Sequence, residues 1–460
     1  MPHSVERLSI KEKIGYSMGD AAANFIFQTM LVFQLSFYTD TFGITAAAAG
    51  TLFLVVRFWD AIFDPMMGIV ADRTKTKWGK FRPWILWTAV PFGLMGFLTF
   101  TTPDFGPTGK LVYAYVTYTV LMMVYSANNL PYSALSGVMT GDIGERTSLS
   151  SYRFVLAMIA AFLIQGMAMP MVNYFGQGNN AKGYQMTMAV FSTLCVLFFI
   201  ITFLTTKERI LPDPNQKSSI RQDFSDLGHN GPWLSLFALT IILFITLSLR
   251  GGVMVYYFKY FVRREDLFSY FNVLGLAATI VGILLSKGVA MRFGKRNVFI
   301  VGLFFTALIT AAFVFLPATA IPVIIGMEML RQFAYGFTIP LLWAMMGDVA
   351  DYSEWKNNRR ATGIVFSAIV FGLKAGLGFG GAIGGWLLSI YGYVPNAEQS
   401  SEALLGIRLT ASIYPAITFL LATGCLFLYK IDKQLNIQIT DELAERRKKF
   451  APPSALPTAP

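Results

Sequence analysis

Of 460 residues, 55% are hydrophobic and 14% charged, well below the roughly 25% charge of soluble domains, so a soluble globular fold is excluded. The mean hydropathy of +0.54 indicates an integral membrane protein, and the missing short alternating segments exclude a membrane β-barrel. The net charge of +11 is spread loop by loop, so it does not call for a nucleic-acid partner.

A bilayer core of about 30 Å needs about 20 helical residues. Twelve segments are expected to span: 14–38, 46–71, 83–102, 111–138, 150–174, 186–206, 234–258, 267–290, 298–317, 321–347, 361–391 and 407–429. Basic residues gather in every second loop, for example Arg73, Lys75, Lys77, Lys80 and Arg82, then Arg292, Lys295 and Arg296. The other loops carry isolated lysines such as Lys110 and Lys182, with Arg263 and Arg264 a local exception. This asymmetry places both termini in the cytoplasm of a multi-pass inner-membrane protein. Residues 1–13 are polar and the next apolar stretch is too long for a signal-peptide core, so span 1 is expected to stay uncleaved.

In chain order, span 1 carries Asp20, Asn24 and Gln28, four apart and therefore one polar stripe. Span 2 contains "RFWDAIFDPMMG" at 57–68. Asp60 and Asp64 are one helical turn apart, about 5–6 Å between Cβ atoms, and Arg57 joins the same face. A lone charge at the bilayer centre costs at least about 2.5–3.5 kcal/mol. One arginine cannot neutralise two acids, so the second acid is expected to bind a proton or another cation. The alternative is a structural Arg–Asp pair beside a neutral aspartic acid. Span 4 puts Tyr125 and Asn129 on one face, near Ser126 and Tyr132, and Arg153 opens span 5.

Residues 207–233 form a polar linker with Pro and Gly between six spans and six spans. Expected domains are 1–206, the linker, 234–430 and a cytoplasmic tail at 431–460. "MTGDI" at 139–143 recurs as "MMGDV" at 345–349, and "WGKFRPW" at 78–84 is echoed by "FGKRNVF" at 293–299. Echoes at matching loop positions indicate a duplicated six-helix unit. Span 7 carries Arg250 before two glycines. Glu328 and Arg331 in span 10 are three apart and able to pair, either as structure or against substrate. A lone Lys374 lies in span 11 within "FGLKAGLGFGG". Asn, Gln, Tyr and Arg beside Trp suit a sugar, whose hydroxyls need donors and acceptors and whose apolar face stacks on rings. Trp59, Trp343 and Trp386 are available stackers, packing being the alternative for each. Cys195 and Cys425 sit inside helices with no disulfide or metal pattern, and "DELAERRKKF" in the tail suggests a short surface helix.

Strings in the right order over about 8–430 carry a family resemblance: "IGYSMGD", "FYTDTFG", "GTLFLVVRFWDAIFDPMMG", "DRTKTKWGKFRPW", "NLPYSAL", "GDVADYSEW" and "GLKAGLGFGG". The chain resembles the glycoside–pentoside–hexuronide:cation symporters, the melibiose-permease group of the major facilitator superfamily. That resemblance implies an all-α fold of twelve transmembrane helices in two six-helix bundles related by a pseudo-twofold axis. It further implies that Asp60 and Asp64 are cation-site acids, with Ser126 a hydroxyl ligand and Lys374 close by. Asn24, Tyr125, Asn129 and Arg153 match its sugar-site positions, beside the inward-facing Asp20, Arg250 and Trp343. Asp348, Asp351 and Arg360 match its cytoplasmic gating positions. "RGG" at 250–252 is similar to the branch that handles xylosides.

Departures from the melibiose carrier refine this. That carrier has Asn where Phe63 stands, and Phe cannot ligate Na⁺; hard cations want several oxygens, a proton one carboxylate. The expectation is H⁺ rather than Na⁺. The carrier also has Asp where Asn24 and Asn129 stand, which argues against galactosides. The expected function is cation-coupled symport of a glycoside such as a xyloside, glucoside or glucuronide, by a monomer among membrane lipids, without a cofactor beyond the co-transported ion and without nucleic acid. Rival readings are a lysophospholipid carrier of the same fold, which would want an apolar cavity, and a multi-span sensor, which would need no buried cation site. No nucleophile–His or metal motif lies in the membrane, so an enzyme is not expected.

Overall fold

The computed structural model describes residues 8–140, 143–209, 228, 230–357 and 362–450. Its helices are α1 (Ile10–Ser36), α2 (Ala46–Arg73), α3 (Arg82–Thr99), α4 (Pro107–Met139), α5 (Ile143–Gly176), α6 (Asn180–Thr205), α7 (Gly231–Tyr256), α8 (Phe268–Phe293), α9 (Lys295–Ala312), α10 (Ile321–Gly336), α11 (Ile339–Asn357), α12 (Thr362–Ile390), α13 (Ser401–Ala411), α14 (Ile413–Leu428) and α15 (Lys433–Phe450). α10 and α11 are one span broken at 337–338, and α13 and α14 one span broken at Ser412, so α1–α14 make the twelve expected spans. Among the described residues the remaining pairing is one isolated bridge, Thr76 to Gly79. Among the described residues, nine of the spans are long and apolar enough to cross a bilayer by length and composition alone. α1, α3 and α4 fall outside that set because polar or interfacial residues interrupt their apolar runs.

Helix starts follow local chemistry. At Ser9 the hydroxyl accepts from the Glu12 amide at 3.2 Å while the Glu12 carboxylate accepts from the Ser9 amide at 3.2 Å, a reciprocal cap. Arg209 also reaches Glu12 at 2.7 Å. Burial pushes the Glu12 carboxyl up, but Arg209 and the Ser9 bonds outweigh it and hold the group below its ordinary value. Glu208 closes the start of α3 by accepting from the amides of Lys80, Phe81 and Arg82 at 2.9, 2.7 and 2.9 Å. Carboxylate and helix N-terminus attract each other there.

The two "GK" echoes have a physical basis. Gly79 and Gly294 take φ of +110° and +87°, a region that side chains other than glycine rarely enter, and each precedes a helix. The arginines that follow also act alike: Arg82 donates to the Phe203 carbonyl at 2.7 Å and Arg296 to the Leu426 carbonyl at 3.0 Å. A second likeness was not expected. α1 and α7 each run into a π-helical turn, Phe37–Phe42 and Tyr257–Val262, closed by a left-handed residue, Gly43 or Arg263.

Two compact units emerge. The first takes in Met1–Gln216, Ser248–Val273 and Gly378–Ala411; in it α1 packs on α5 and α6, α3 on α4 and α6, and α2 on α4. Buried hydroxyls satisfy themselves within their own helices, as Thr29 does on the Phe25 carbonyl at 2.8 Å, which suits an interior without water. The second unit takes in Lys217–Leu247, Leu274–Leu377 and Ser412–Pro460; α9 packs on α10 and α14 around Phe299, Leu303, Met345, Met346 and Phe419. α15 is longer than the expected surface helix and docks on α11, where the Trp355 indole donates to Glu442 at 2.6 Å. Cys195 and Cys425 are free thiols.

Candidate functional site

The site grows from α2. Arg57 donates to Asp60 at 2.8 Å, one turn apart, with 10% and 3% of the two side chains exposed. Asp64 follows one turn later and is half-buried on the same helix. Asp64 thus places a second carboxylate one turn from the Arg57–Asp60 pair.

A glycine seam makes room for this arginine. A Cβ on Gly378 of α12 would stand 2.0 Å from the Arg57 Cγ, so the arginine stem lies directly on bare backbone. Further along, a Cβ on Gly385 would stand 2.4 Å from the Ala46 carbonyl, and one on Gly50 2.7 Å from the Ala382 carbonyl. α2 and the end of α12 within the first unit therefore meet backbone to backbone, and small residues at helical spacing allow it. Gly378 lies inside the glycine-rich string that the sequence singled out for Lys374.

A second polar cluster lies on α1, α4 and α5. Asp20 accepts from Arg153 at 3.2 Å. The Arg153 guanidinium lies over the Tyr132 ring, 5.3 Å from its centroid, and Tyr132 stacks on Tyr16 at 4.6 Å. The Asn24 amide donates to the Asp20 carbonyl at 2.8 Å, and Gln28 reaches the Asn24 oxygen at 3.3 Å. Tyr125 stacks on Phe27, ring centroids 5.6 Å apart. Asn129 is half-buried, one turn beyond Tyr125, and Ser126 is fully buried on α4. Carboxylate, guanidinium, amides and ring faces supply what a polyol needs: donors, acceptors and a flat apolar surface.

Other expected residues lie elsewhere. Arg250 is 5% exposed and its Nε donates to the Ala411 carbonyl at 3.1 Å, at the break between α13 and α14. A cation there meets the carbonyl end of a helix. Trp343 and Lys374 belong to the second unit; Trp343 packs on its apolar core and Lys374 is half-buried on α12. Asp348 accepts from Lys295 through both oxygens, at 2.6 and 2.7 Å. Asp351 is half-buried one turn below, and Arg360 lies outside the described residues. Glu328 and Arg331 pair through two bonds and are 2% and 4% exposed. Of the candidate stackers, Trp386 donates to Thr51 at 3.2 Å, and Trp59 is 43% exposed.

Sequence reasoning passed over one cluster. The Asp40 carboxylate, in the first π-turn, accepts from Lys259 and Tyr260 of the second, from Tyr393, and from the neighbouring Thr39. Asn396 bridges by accepting from Lys259 at 2.9 Å and donating to the Asp40 carbonyl. Opposite charges at matching ends of span 1 and span 7 were the available signal.

The sequence profile described as MFS/sugar transport protein matches residues 15–433. The chain belongs to that family. Within the MFS/sugar transport family, it is 40% identical over 418 residues to the inner membrane symporter YicJ of Escherichia coli (strain K12), covering 91% of each chain. It is 37% identical over 427 residues to the isoprimeverose transporter of Lactiplantibacillus pentosus, covering 92% of this chain and 89% of that one. Among solved structures, it resembles a bacterial homologue of the human lysosomal transporter Spinster with a TM-score of 0.68 at 14% identity, covering 94% of this chain and 99% of that one. The fold is the all-helical, twelve-span major facilitator fold, and the protein crosses the membrane many times.

Proposed function

We propose that this protein carries a glycoside together with a cation across the bacterial inner membrane by alternating access. The carrying observation is the acid pair on α2: Asp60 is bonded to Arg57, and Asp64 lies half-buried one turn away on a membrane-spanning helix. A carboxylate is costly to keep charged on a membrane-spanning helix, so a mobile cation that discharges it lets the site enter a closed state cheaply. Family membership and the symporter relative support coupled transport. H⁺ is the ion that one carboxylate beside Phe63 serves best, because Na⁺ wants several oxygens.

Sugar binding falls to Asp20, Asn24, Tyr125, Asn129 and Arg153, with Arg250 contributing from a later span of the same unit. The isoprimeverose transporter supports a xyloside as substrate class, ahead of glucosides and glucuronides. The Lys295–Asp348 pair, with Asp351, acts as a gate at the cytoplasmic ends. Both termini lie in the cytoplasm.

Uptake into proteoliposomes tests the reading. An inward H⁺ gradient drives accumulation of a labelled xyloside, and a Na⁺ gradient at equal pH does not. Accumulation that ignores both ions would sink cation coupling; accumulation driven by Na⁺ alone would reverse the choice of ion.

A further inference from the structure

α8, α9 and α10 leave a groove of about 690 Å³ in the second unit. Val301, Phe305 and Ile309 of α9 form one wall, Leu330 and Phe333 of α10 the other, and Phe293 of α8 one end. Asn297 is the one polar side chain among the lining residues. Phe293, Val301 and Leu330 are 56%, 53% and 53% exposed, which on membrane-spanning helices means exposed to lipid.

The groove is fixed by backbone contact. A Cβ on Gly282 would stand 2.4 Å from the Phe333 carbonyl, and one on Gly302 3.2 Å from the Ala334 carbonyl. α8 and α9 thus both abut α10 at glycines, and the space beside those contacts is a built concavity. From Asn297 to Ile309 the helix rises ~18 Å, about the ~15 Å hydrocarbon depth of one leaflet.

One end of the groove is basic. The Arg292 guanidinium is exposed and lies over the Phe293 ring, 5.4 Å from its centroid. Lys433 donates to the Arg292 carbonyl at 3.4 Å, which brings a second cation to that end. Asp348 neutralises Lys295, and Arg292, Arg296 and Lys433 outnumber the nearby Asp432 and Asp441.

We propose that the groove holds one resident anionic phospholipid, with an acyl chain along α9 and its phosphate at Arg292 and Lys433. Apolar walls one leaflet deep match a chain, and the cationic rim matches a phosphate bearing no compensating amine. The lipid is a fixed companion of the helices and not cargo. The inference needs only that the chain spans a membrane, so sugar uptake and lipid retention test separate statements.

Native mass spectrometry of the full chain, with added palmitoyl-oleoyl phosphatidylglycerol or phosphatidylethanolamine, reads the site. One phosphatidylglycerol is retained under conditions that strip phosphatidylethanolamine. Each basic residue near anionic lipid is worth about fivefold in affinity, so Arg292→Gln with Lys433→Gln weakens phosphatidylglycerol about twenty-five-fold. Val301→Trp fills the groove and removes both lipids; Ala334→Leu is the milder filler should the first not fold. Equal retention of the two lipids overturns the proposal, as does a filled groove that keeps its phosphatidylglycerol. A dimer mass in the parent protein that Val301→Trp abolishes also overturns it, because a second copy then occupies the groove.

Discussion

Two helices of this protein bury an acid and an arginine three residues apart, and they differ in one respect. On α10, Glu328 and Arg331 pair through two bonds and the stretch is neutral. On α2, Arg57 and Asp60 pair equally closely, and Asp64 follows one turn later. Spacing and burial are therefore shared by a pair that stands alone on its helix and a pair with a second acid one turn on. α10 offers its arginine one carboxylate and α2 offers two, and the coupling proposed above rests on that added acid.

The largest effect falls on α2. Asp64→Asn should reduce gradient-driven sugar accumulation to the level of protein-free vesicles while sugar exchange survives; unchanged accumulation would erase the contrast. Next, Glu328→Ala leaves Arg331 buried and uncompensated, at about 3–5 kcal/mol of stability. Detergent melting reads that loss, and the ion-to-sugar ratio of the surviving protein should stay unchanged. A shifted ratio would place the α10 pair in the coupling path.

Smaller effects sharpen the picture. Asp40→Asn removes a charged acceptor bonded to Lys259, at about 1.5–3 kcal/mol; a double-mutant cycle with Lys259→Gln should show that the two losses do not add. Gly378→Ala pushes a methyl group into the Arg57 stem, at about 1–3 kcal/mol, and should weaken proton coupling while sugar exchange persists. The smallest effect is a pH dependence. The Glu12 carboxyl is held below its ordinary value in the folded protein. Its stabilisation is complete above the unfolded value of about 4.3 and is lost as pH falls through the lower folded value. The melting difference between the parent and Glu12→Gln should accordingly shrink on acidification below about pH 4.

Much of the fold is legible in the sequence because lipid demands long apolar helices, and such runs announce themselves. Hydropathy is blind to the breaks at 337–338 and Ser412, since an apolar run reads alike whether its helix is continuous or not. Part of the site is legible for the same reason: acids such as Asp60 and Asp64 stand out against an apolar background. Arg250 shows the limit, because its bond to the Ala411 carbonyl depends on a helix break that no periodicity records. Gly378 shows another, since one glycine among many looks like flexibility until Arg57 is seen lying on it. Asp40 and Lys259 read as loop charges, and only the folded chain joins them.

The twin π-turns give that last junction an unusual dependence. An α-helix advances about 100° per residue, and a π-turn accommodates an additional residue in each turn. Removing one residue ahead of Asp40 in Phe37–Phe42 would leave the acid and its donors chemically intact, yet swing Asp40 through about a quarter rotation, away from Lys259, Tyr260 and Tyr393. The angular phase of the helix, set by how many residues it holds, decides whether this acid meets its donors.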